Sequence, residues 1–317
     1  MSEVPLTIVS AARNDGYGER FADRFAFHCS SVDGFAEGLG TPVEHVLVDW
    51  NPVEGAPLAD LVPASSSWVT RTVLQCSGDA VNERVESRGV PFVEAAAKNA
   101  GVLAAGTEWV CLVNSDVALS YELGIAVSSL MHAVGGSDVF LRADRLDIEY
   151  AATEALPDRV EVADALSRAT VLHRRHGDSL GVAASVNVLG LPPDEIAPLA
   201  SCPRPTDLAV GAGFLTHFHA GPTCGLHTNA SGDFLVVRKA TFLTAGGLDE
   251  AFPQSTHLDS LLIAALAGVA QSRQIVASFP AFVVHVDHDR GPGYGTGSVP
   301  FSSVQEEFDR LLSGWRG

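Results

Sequence analysis

Apolar positions follow two rhythms along the first two-fifths of the chain. Near-continuous apolar runs occur at "LTIVSAA" (6–12), "EHVLVDW" (44–50), "RTVLQCS" (71–77) and "EWVCLVN" (108–114). They have strand length and no consistent polar face, the pattern of strands covered on both sides. Between them, Phe21, Phe25, Val32 and Phe35 recur at near-helical spacing within 19–39, and the Ala-rich stretch 91–106 ends at Gly106. Both read as helices, the second because its residues are good helix formers stopped by glycine. Strand–helix–strand succession of this kind predicts an α/β fold, with a mixed, mostly parallel central sheet flanked by helices.

The middle of the chain is less regular. Residues 137–152 read as a strand running into a polar loop, and 158–177 as an amphipathic helix. Residues 178–230 are rich in Gly, Pro, His and Thr without a clear period, and a loop of that length inside a compact domain is usually functional or wrongly parsed. Regularity returns with a strand and short helix at 232–252, a helix at 257–269, a strand at 275–289 with histidines at its tip, and a terminal helix at 301–315. Ser302 or Ser303 with Glu306 resembles an N-terminal cap for that last helix.

Composition narrows the picture. In a chain of 317 residues, 46% hydrophobic and 18% charged residues provide for an ample core. No apolar run approaches the ~20 residues that cross a bilayer, and the first residues lack the basic and apolar regions of a signal peptide. The five cysteines (Cys29, Cys76, Cys111, Cys202, Cys224) are dispersed, which suggests reduced thiols and a cytoplasmic protein. A net charge of −18 argues against non-specific nucleic-acid binding. It also means that any phosphate-bearing ligand must be met by local arginines or by a divalent cation.

Candidate chemistry sits where open α/β sheets place it, beyond the carboxyl ends of strands. Ala12 ends the first run and Arg13, Asn14 and Asp15 follow it; Asp49 and Asn51 lie at the end of the second, Asn114, Ser115 and Asp116 at the end of the fourth, and His285, Asp287 and His288 at the end of the last. A carboxylate with imidazoles suits Mn²⁺, and harder oxygen ligands suit Mg²⁺. A nucleoside diphosphate would complete the shell. There is no P-loop and no G-x-S-x-G elbow. The glycine-rich "GPGYGTGS" (291–298) reads as a mobile loop. His217, His219, Cys224 and His227 have a spacing that matches no standard zinc site.

The order of these segments resembles a GT-A-fold glycosyltransferase of the inverting family-two type. "LTIVSAARND" is similar to that family's opening strand and nucleotide-contacting turn, and "HVLVDWNP" to its second strand, whose terminal Asp meets the base. "AAAKNAGVLAAGTEWVCLVNSD" resembles the segment leading into the Asp-x-Asp motif, here Asn114-Ser115-Asp116. "GDFLVVRKATFLTAGGLDEAF" resembles the acceptor-side block, "HLDSLL" the place of the Glu-Asp pair with the catalytic base, and "VVHVDHDR" the strand with the metal-binding His. Two departures stand out: Asn114 replaces the first Asp, and Leu258-Asp259 replaces Glu-Asp. The order of "HTNASGDF", "HLDS" and "HVDH", with "RNDGYG" and "RADRLD", is similar to one subgroup of the family.

The resemblance implies a single catalytic domain over 1–317, with a nucleotide-binding half at 1–120 and an acceptor-binding half at 121–317. It implies metal-dependent, inverting transfer of a sugar from a nucleotide-diphosphate donor, UDP-sugar by default, to an acceptor hydroxyl. Asp116, His288 and His285 would hold Mn²⁺ or Mg²⁺, and Asp259 would be the base. Ala12, Arg13, Asn14, Asp49, Asn51, Lys98, Asn114, Ser115 and Asp233 would line the donor site. Asp144 and Arg145 are expected in a polar loop, facing a substrate or pairing at the surface, and the irregular stretch at about 143–230 is expected to shape the acceptor site. Two other classes stay open: a nucleotidyltransferase forming a nucleotide sugar, and a non-catalytic sugar- or nucleotide-binding protein.

Overall fold

The computed structural model describes residues 5–16, 18, 20–134, 137–149, 170–176, 179–182, 215–219, 232–252, 257–286, 288 and 301–314. The first half runs β1 (Leu6–Ala12), α1 (Phe21–Leu39), β2 (Val43–Trp50), β3 (Val69–Cys76), α2 (Asp79–Arg88), α3 (Glu94–Ala104), β4 (Trp109–Val113), β5 (Val117–Leu119) and α4 (Tyr121–Val134). The second half runs β6 (Val139–Glu149), β7 (Thr170–His176), β8 (Ser179–Val182), β9 (Leu215–His219), β10 (Phe234–Arg238), α5 (Lys239–Thr244), α6 (Leu258–Gly268), β11 (Arg273–Val286) and α7 (Gln305–Leu312).

One sheet joins all of these strands, with a path β3-β2-β1-β4-β10-β6-β11-β5. Strands β3, β2, β1 and β4 are parallel neighbours, β10 is antiparallel to both β4 and β6, β11 is parallel to β6, and β5 is antiparallel to β11. This is the expected mixed, mostly parallel sheet. The insertion of β10 between β4 and β6 stitches late sequence into the early sheet and brings Asp233 beside Asn114.

Both faces of the sheet are covered, which explains the unbroken apolar runs. Successive residues of a strand point to opposite faces. Ile8, Cys111 and Val113, Phe234 and Val236 pack with Val32 and Phe35 of α1 and Leu123 and Val127 of α4. Their neighbours Val9, Val110, Leu112, Leu235 and Val237 pack with Ala96 and Val102 of α3 and Leu262, Ile263 and Leu266 of α6. Helices α1 and α4 touch through backbone: a Cβ at Gly38 would strike the Tyr121 carbonyl oxygen, and one at Gly124 the Phe35 carbonyl oxygen.

Three expectations need correction, and one helix was not anticipated. Residues 170–176 form strand β7 against β6 rather than the end of a helix, consistent with β-branched Thr170 and Val171 and with an edge that needed a partner; residues 158–169 lie outside the described residues. Asp144 and Arg145 lie within strand β6, not in a loop. Helix α7 begins after Val304, with no side-chain cap from Ser302 or Ser303. The stretch 79–88, too polar to show an apolar stripe, is helix α2 and buries only Val81. Most of 178–230, Cys202, Cys224, His227 and "GPGYGTGS" lie outside the described residues.

A polar chain runs through the apolar layer under α1. Ser10 Oγ lies 2.8 Å from His28 Nε2 and 3.0 Å from His45 Nε2, and His28 Nδ1 lies 2.6 Å from the Val117 carbonyl oxygen. One consistent assignment has His45 Nε2–H donating to Ser10, Ser10 to His28 Nε2, and His28 Nδ1–H to Val117, with both rings neutral. Burial outweighs the Val117 hydrogen bond and the field of Asp116, lowering His28 to about 4. His45 is also lowered, by burial first and then by His28 and Arg71. The unfolded chain therefore takes up protons on these groups below about pH 6.5 while the folded chain resists. Stability should be full above that pH and fall as pH drops from 6.5 toward 4. Urea titrations should show this slope in the wild type, shallower by up to about 1.4 kcal/mol per pH unit in His28→Gln; equal slopes would mean that His28 is not held neutral.

Candidate functional site

Asp116 lies between β4 and β5, where a short turn closes with the Val117 N–H donating to the Asn114 carbonyl. Strand β5 then pairs with β11, His285 opposite Val117. That pairing brings the last strand of the sheet to the end of the fourth. His288 Nε2 lies 3.1 Å and His285 Nε2 3.7 Å from Asp116 Oδ2. The ligand atoms of Asp116, His285 and His288 all lie within 4.8 Å of one another, the one such cluster found among the described residues. One carboxylate oxygen and two imidazole nitrogens are a donor set that fits Mn²⁺. His285 reaches the cluster from within β11.

A second cationic group approaches the same oxygen. Arg24 Nη1, from the first turn of α1, lies 3.7 Å from Asp116 Oδ2, and Arg24 is 2% exposed. Sequence reading missed it. The available signal was a charge on the apolar stripe of a helix, three residues after Phe21 and four before His28.

Behind the cluster lies a continuous polar network. His285 Nδ1 stands 3.0 Å from Asp147 Oδ1, and Arg145 Nη2 lies 2.5 Å from the same oxygen. Arg145 Nη1 donates to Asp233 Oδ2. Asn114 Nδ2 donates to Asp233 Oδ1 at 2.8 Å, and Lys98 Nζ donates to Asn114 Oδ1 at 2.5 Å, to Glu94 Oε1 at 2.6 Å and to the Gly232 carbonyl at 3.0 Å. Positive and negative groups alternate along the network. Arg145 is thus a buried link between two carboxylates, and Lys98 spends all three donors inside the protein.

The network explains Asn114. A carboxylate there would face the Asp233 carboxylate, whereas the amide accepts from Lys98 and donates to Asp233 at once. The electrostatics follow the same geometry. Burial alone would raise the Asp116 carboxyl, but hydrogen bonds from His285 and His288 hold it well below its usual range. Burial would lower His285, but Asp116 and Asp147 raise it to about 9. Asp147 is held low by His285 and Arg145 against its own burial.

Asp259 is the second residue of α6. Its Oδ2 accepts from the Gly232 N–H at 2.7 Å and its Oδ1 from the Ser260 N–H at 2.9 Å. Burial raises its pKa, and the Gly232 hydrogen bond and Arg142 only partly offset this. His257, just before α6, has φ 67°, and Asn51, just after β2, has φ 49°, conformations that cost bulky residues roughly 1–2 kcal/mol and often gather at functional sites.

The remaining candidates form a second group at the ends of β1 and β2. Ala12 is buried at the end of β1. Arg13 Nε donates to the Asn51 carbonyl at 2.8 Å and Arg13 Nη1 to Asp15 at 2.6 Å, while Asn51 Nδ2 donates to the Pro91 carbonyl at 3.1 Å. Asp49 is buried; its Oδ2 accepts from the Leu58 N–H at 2.9 Å, and its Oδ1 has no hydrogen-bond partner among the described residues. Asn14 and Ser115 are partly exposed. Two segments on which the family resemblance drew are in contact: Asn99 Nδ2 donates to the Leu248 carbonyl at 2.8 Å, and the Leu248 N–H donates to Asn99 Oδ1 at 3.0 Å.

No family model matches the sequence, and no curated protein does. Among solved structures, S. aureus TarS 1-349 is similar at 13% identity with a TM-score of 0.48, over 89% of this chain and 60% of that one. TarS 1-349 in complex with UDP-GlcNAc gives 12% identity and 0.49, over 98% and 65%. A further TarS structure gives 13% and 0.44, over 90% and 37%. The chain spans less than two thirds of each of these structures.

The Asn114–Asp233 pairing can be tested by exchange. Asn114→Asp should destabilise the fold by about 1–3 kcal/mol, the scale of an unsatisfied buried polar contact. Adding Asp233→Asn should recover much of that loss by swapping the amide and the carboxylate. A double-mutant cycle in urea measures the coupling; additive losses would show that the contact is not what selects the amide.

Proposed function

We propose that the protein is a glycosyltransferase that uses a nucleoside-diphosphate sugar, with a divalent cation, and inverts the transferred centre. The convergence of Asp116, His285 and His288 at the carboxyl end of the sheet carries this reading. A cation held by these side chains would offset the charge of a diphosphate leaving group, the need that a chain of net charge −18 creates. Asp147 orients His285 through its Nδ1, the carboxylate–histidine arrangement common behind metal ligands.

The other residues fit around a donor and an acceptor. The buried Asp49 Oδ1, an acceptor without a partner, suits a base with an N–H on its pairing edge, which uracil has. Arg13 and Asn51 brace the turn beside it. In the transfer, the acceptor oxygen forms a bond to the anomeric carbon from the face opposite the diphosphate. The bond from that carbon to the phosphate oxygen breaks, and its electron pair leaves with the diphosphate. The acceptor proton passes to Asp259, whose basicity burial raises. Lys98 and Arg145 act by holding Asn114, Asp233 and Asp147 in place.

The donor class is identified by thermal shift with nucleoside diphosphates, each with and without Mn²⁺ or Mg²⁺. Stabilisation by one nucleotide that depends on the cation supports the reading; no such response sinks it. Asp259→Asn should lower turnover by about 10²- to 10⁴-fold while leaving nucleotide affinity within twofold. Asp147→Asn should weaken Mn²⁺ binding about 10- to 100-fold, measured by the loss of the free-ion EPR signal. A variant at Asp259 that keeps full turnover would assign the base elsewhere.

A further inference from the structure

Two imidazoles and a hydroxyl lie in the apolar layer beneath α1, and Ser10, His28 and His45 are all fully buried. Exchanging such a set for apolar side chains of the same shape is often neutral or stabilising, so core packing alone does not call for it. The row has a direction. A carbonyl oxygen only accepts, so the 2.6 Å contact with Val117 puts a hydrogen on His28 Nδ1. Burial keeps the ring neutral, which makes its Nε2 an acceptor for the Ser10 hydroxyl at 2.8 Å. The Ser10 oxygen in turn accepts from His45 Nε2 at 3.0 Å. Every donor in the row points toward Val117, the residue after Asp116.

Val117 needs that donor. Strand β5 is the last in the path of the sheet, and among the described residues it pairs only with β11. Val117 stands opposite His285 in that pair. Its N–H donates to the Asn114 carbonyl at 3.2 Å, and its own carbonyl accepts from His28. Both groups are thus engaged away from β11, the pattern of a non-hydrogen-bonded position, at which opposed side chains come closest. Val117 is fully buried, and its carbonyl without a donor would carry the cost of a buried unsatisfied group. Turning the peptide to find another donor would turn Asp116 with it. Building on the proposed function, we propose that His28 is a positioning residue for the cation site: its Nδ1–H fixes the Val117 carbonyl, and through it the turn that presents Asp116 to His285 and His288. Ser10 on β1 and His45 on β2 orient the ring, so contacts remote from the ligand atoms hold the spacing of those atoms.

Three substitutions separate the two hydrogen bonds of the ring. Asn places its amide nitrogen near the position of Nδ1 and can still donate to Val117. Gln places its own near Nε2 and cannot, and Met fills the same volume with no donor at all. Mn²⁺ affinity of the full chain is measured by the loss of the free-ion EPR signal, and stability by urea titration of the same samples. His28→Asn and His28→Gln should both lower the urea midpoint, because each cuts one buried hydrogen bond. Only His28→Gln and His28→Met should bind Mn²⁺ more weakly, by about 10-fold, the lower end of the range for contacts outside the ligand shell. His28→Asn should bind Mn²⁺ about as tightly as the wild type. A purely structural role predicts an affinity that is constant across the folded variants or that follows the urea midpoint, and either result overturns the inference. Should neither His28→Gln nor His28→Met fold, His28→Asn decides: wild-type affinity supports the inference and a loss overturns it. A wild type that binds no Mn²⁺ fails the cation part of the functional reading and this inference with it, a result distinct from any difference among the variants.

Discussion

The site depends on the sharing of one carboxylate oxygen. Asp116 Oδ2 is approached by His288, His285 and Arg24, residues separated by most of the chain. None of these contacts is local in sequence, and each requires a different piece of the sheet to be in place. The short pairing of β5 with β11 sets the histidines, and the packing of α1 under β5 sets the arginine. A carboxylate in this position is stabilised in its charged form only by what surrounds it, since burial alone would favour its protonation.

The same logic extends inward. Asp147, Arg145, Asp233, Asn114, Lys98 and Glu94 form a row in which each group is satisfied by a neighbour of opposite sign or by an amide between them. Low-dielectric surroundings strengthen such a row when it is complete and penalise any gap in it. The row connects the cation cluster to Gly232 and, through the Gly232 N–H, to Asp259. The two ends of the proposed chemistry therefore rest on one set of side chains, carried by strands β6 and β11, by the turns that flank β4 and β10, and by helices α3 and α6.

Much of the fold was legible because the central strands are covered on both faces: β1, β2 and β4 appear in the sequence as plain apolar runs, and Asp116 and His288 stand at the ends of such runs. Helix α2 was not legible because it buries almost nothing, so no stripe marks it. Arg145 read as a surface or loop residue because its burial depends on Asp233, which reaches it only through the insertion of β10 between β4 and β6. Arg24 was hidden for the converse reason, since the aromatic residues beside it define the helix and draw attention from the charge among them. The role of Asn114 could not be read without its two partners, which lie 16 residues before it and 119 after it.

The contact between α1 and α4 bears on how rigid this arrangement is. At Gly38 and Gly124 nothing but hydrogen separates the two main chains, so neither helix can roll without driving into the other. Helix α4 contributes no group to the cluster, yet it sets the depth at which α1 seats its first turn. The position of Arg24 beside Asp116 is in that sense gauged from the far end of the helix, by a spacer one atom thick.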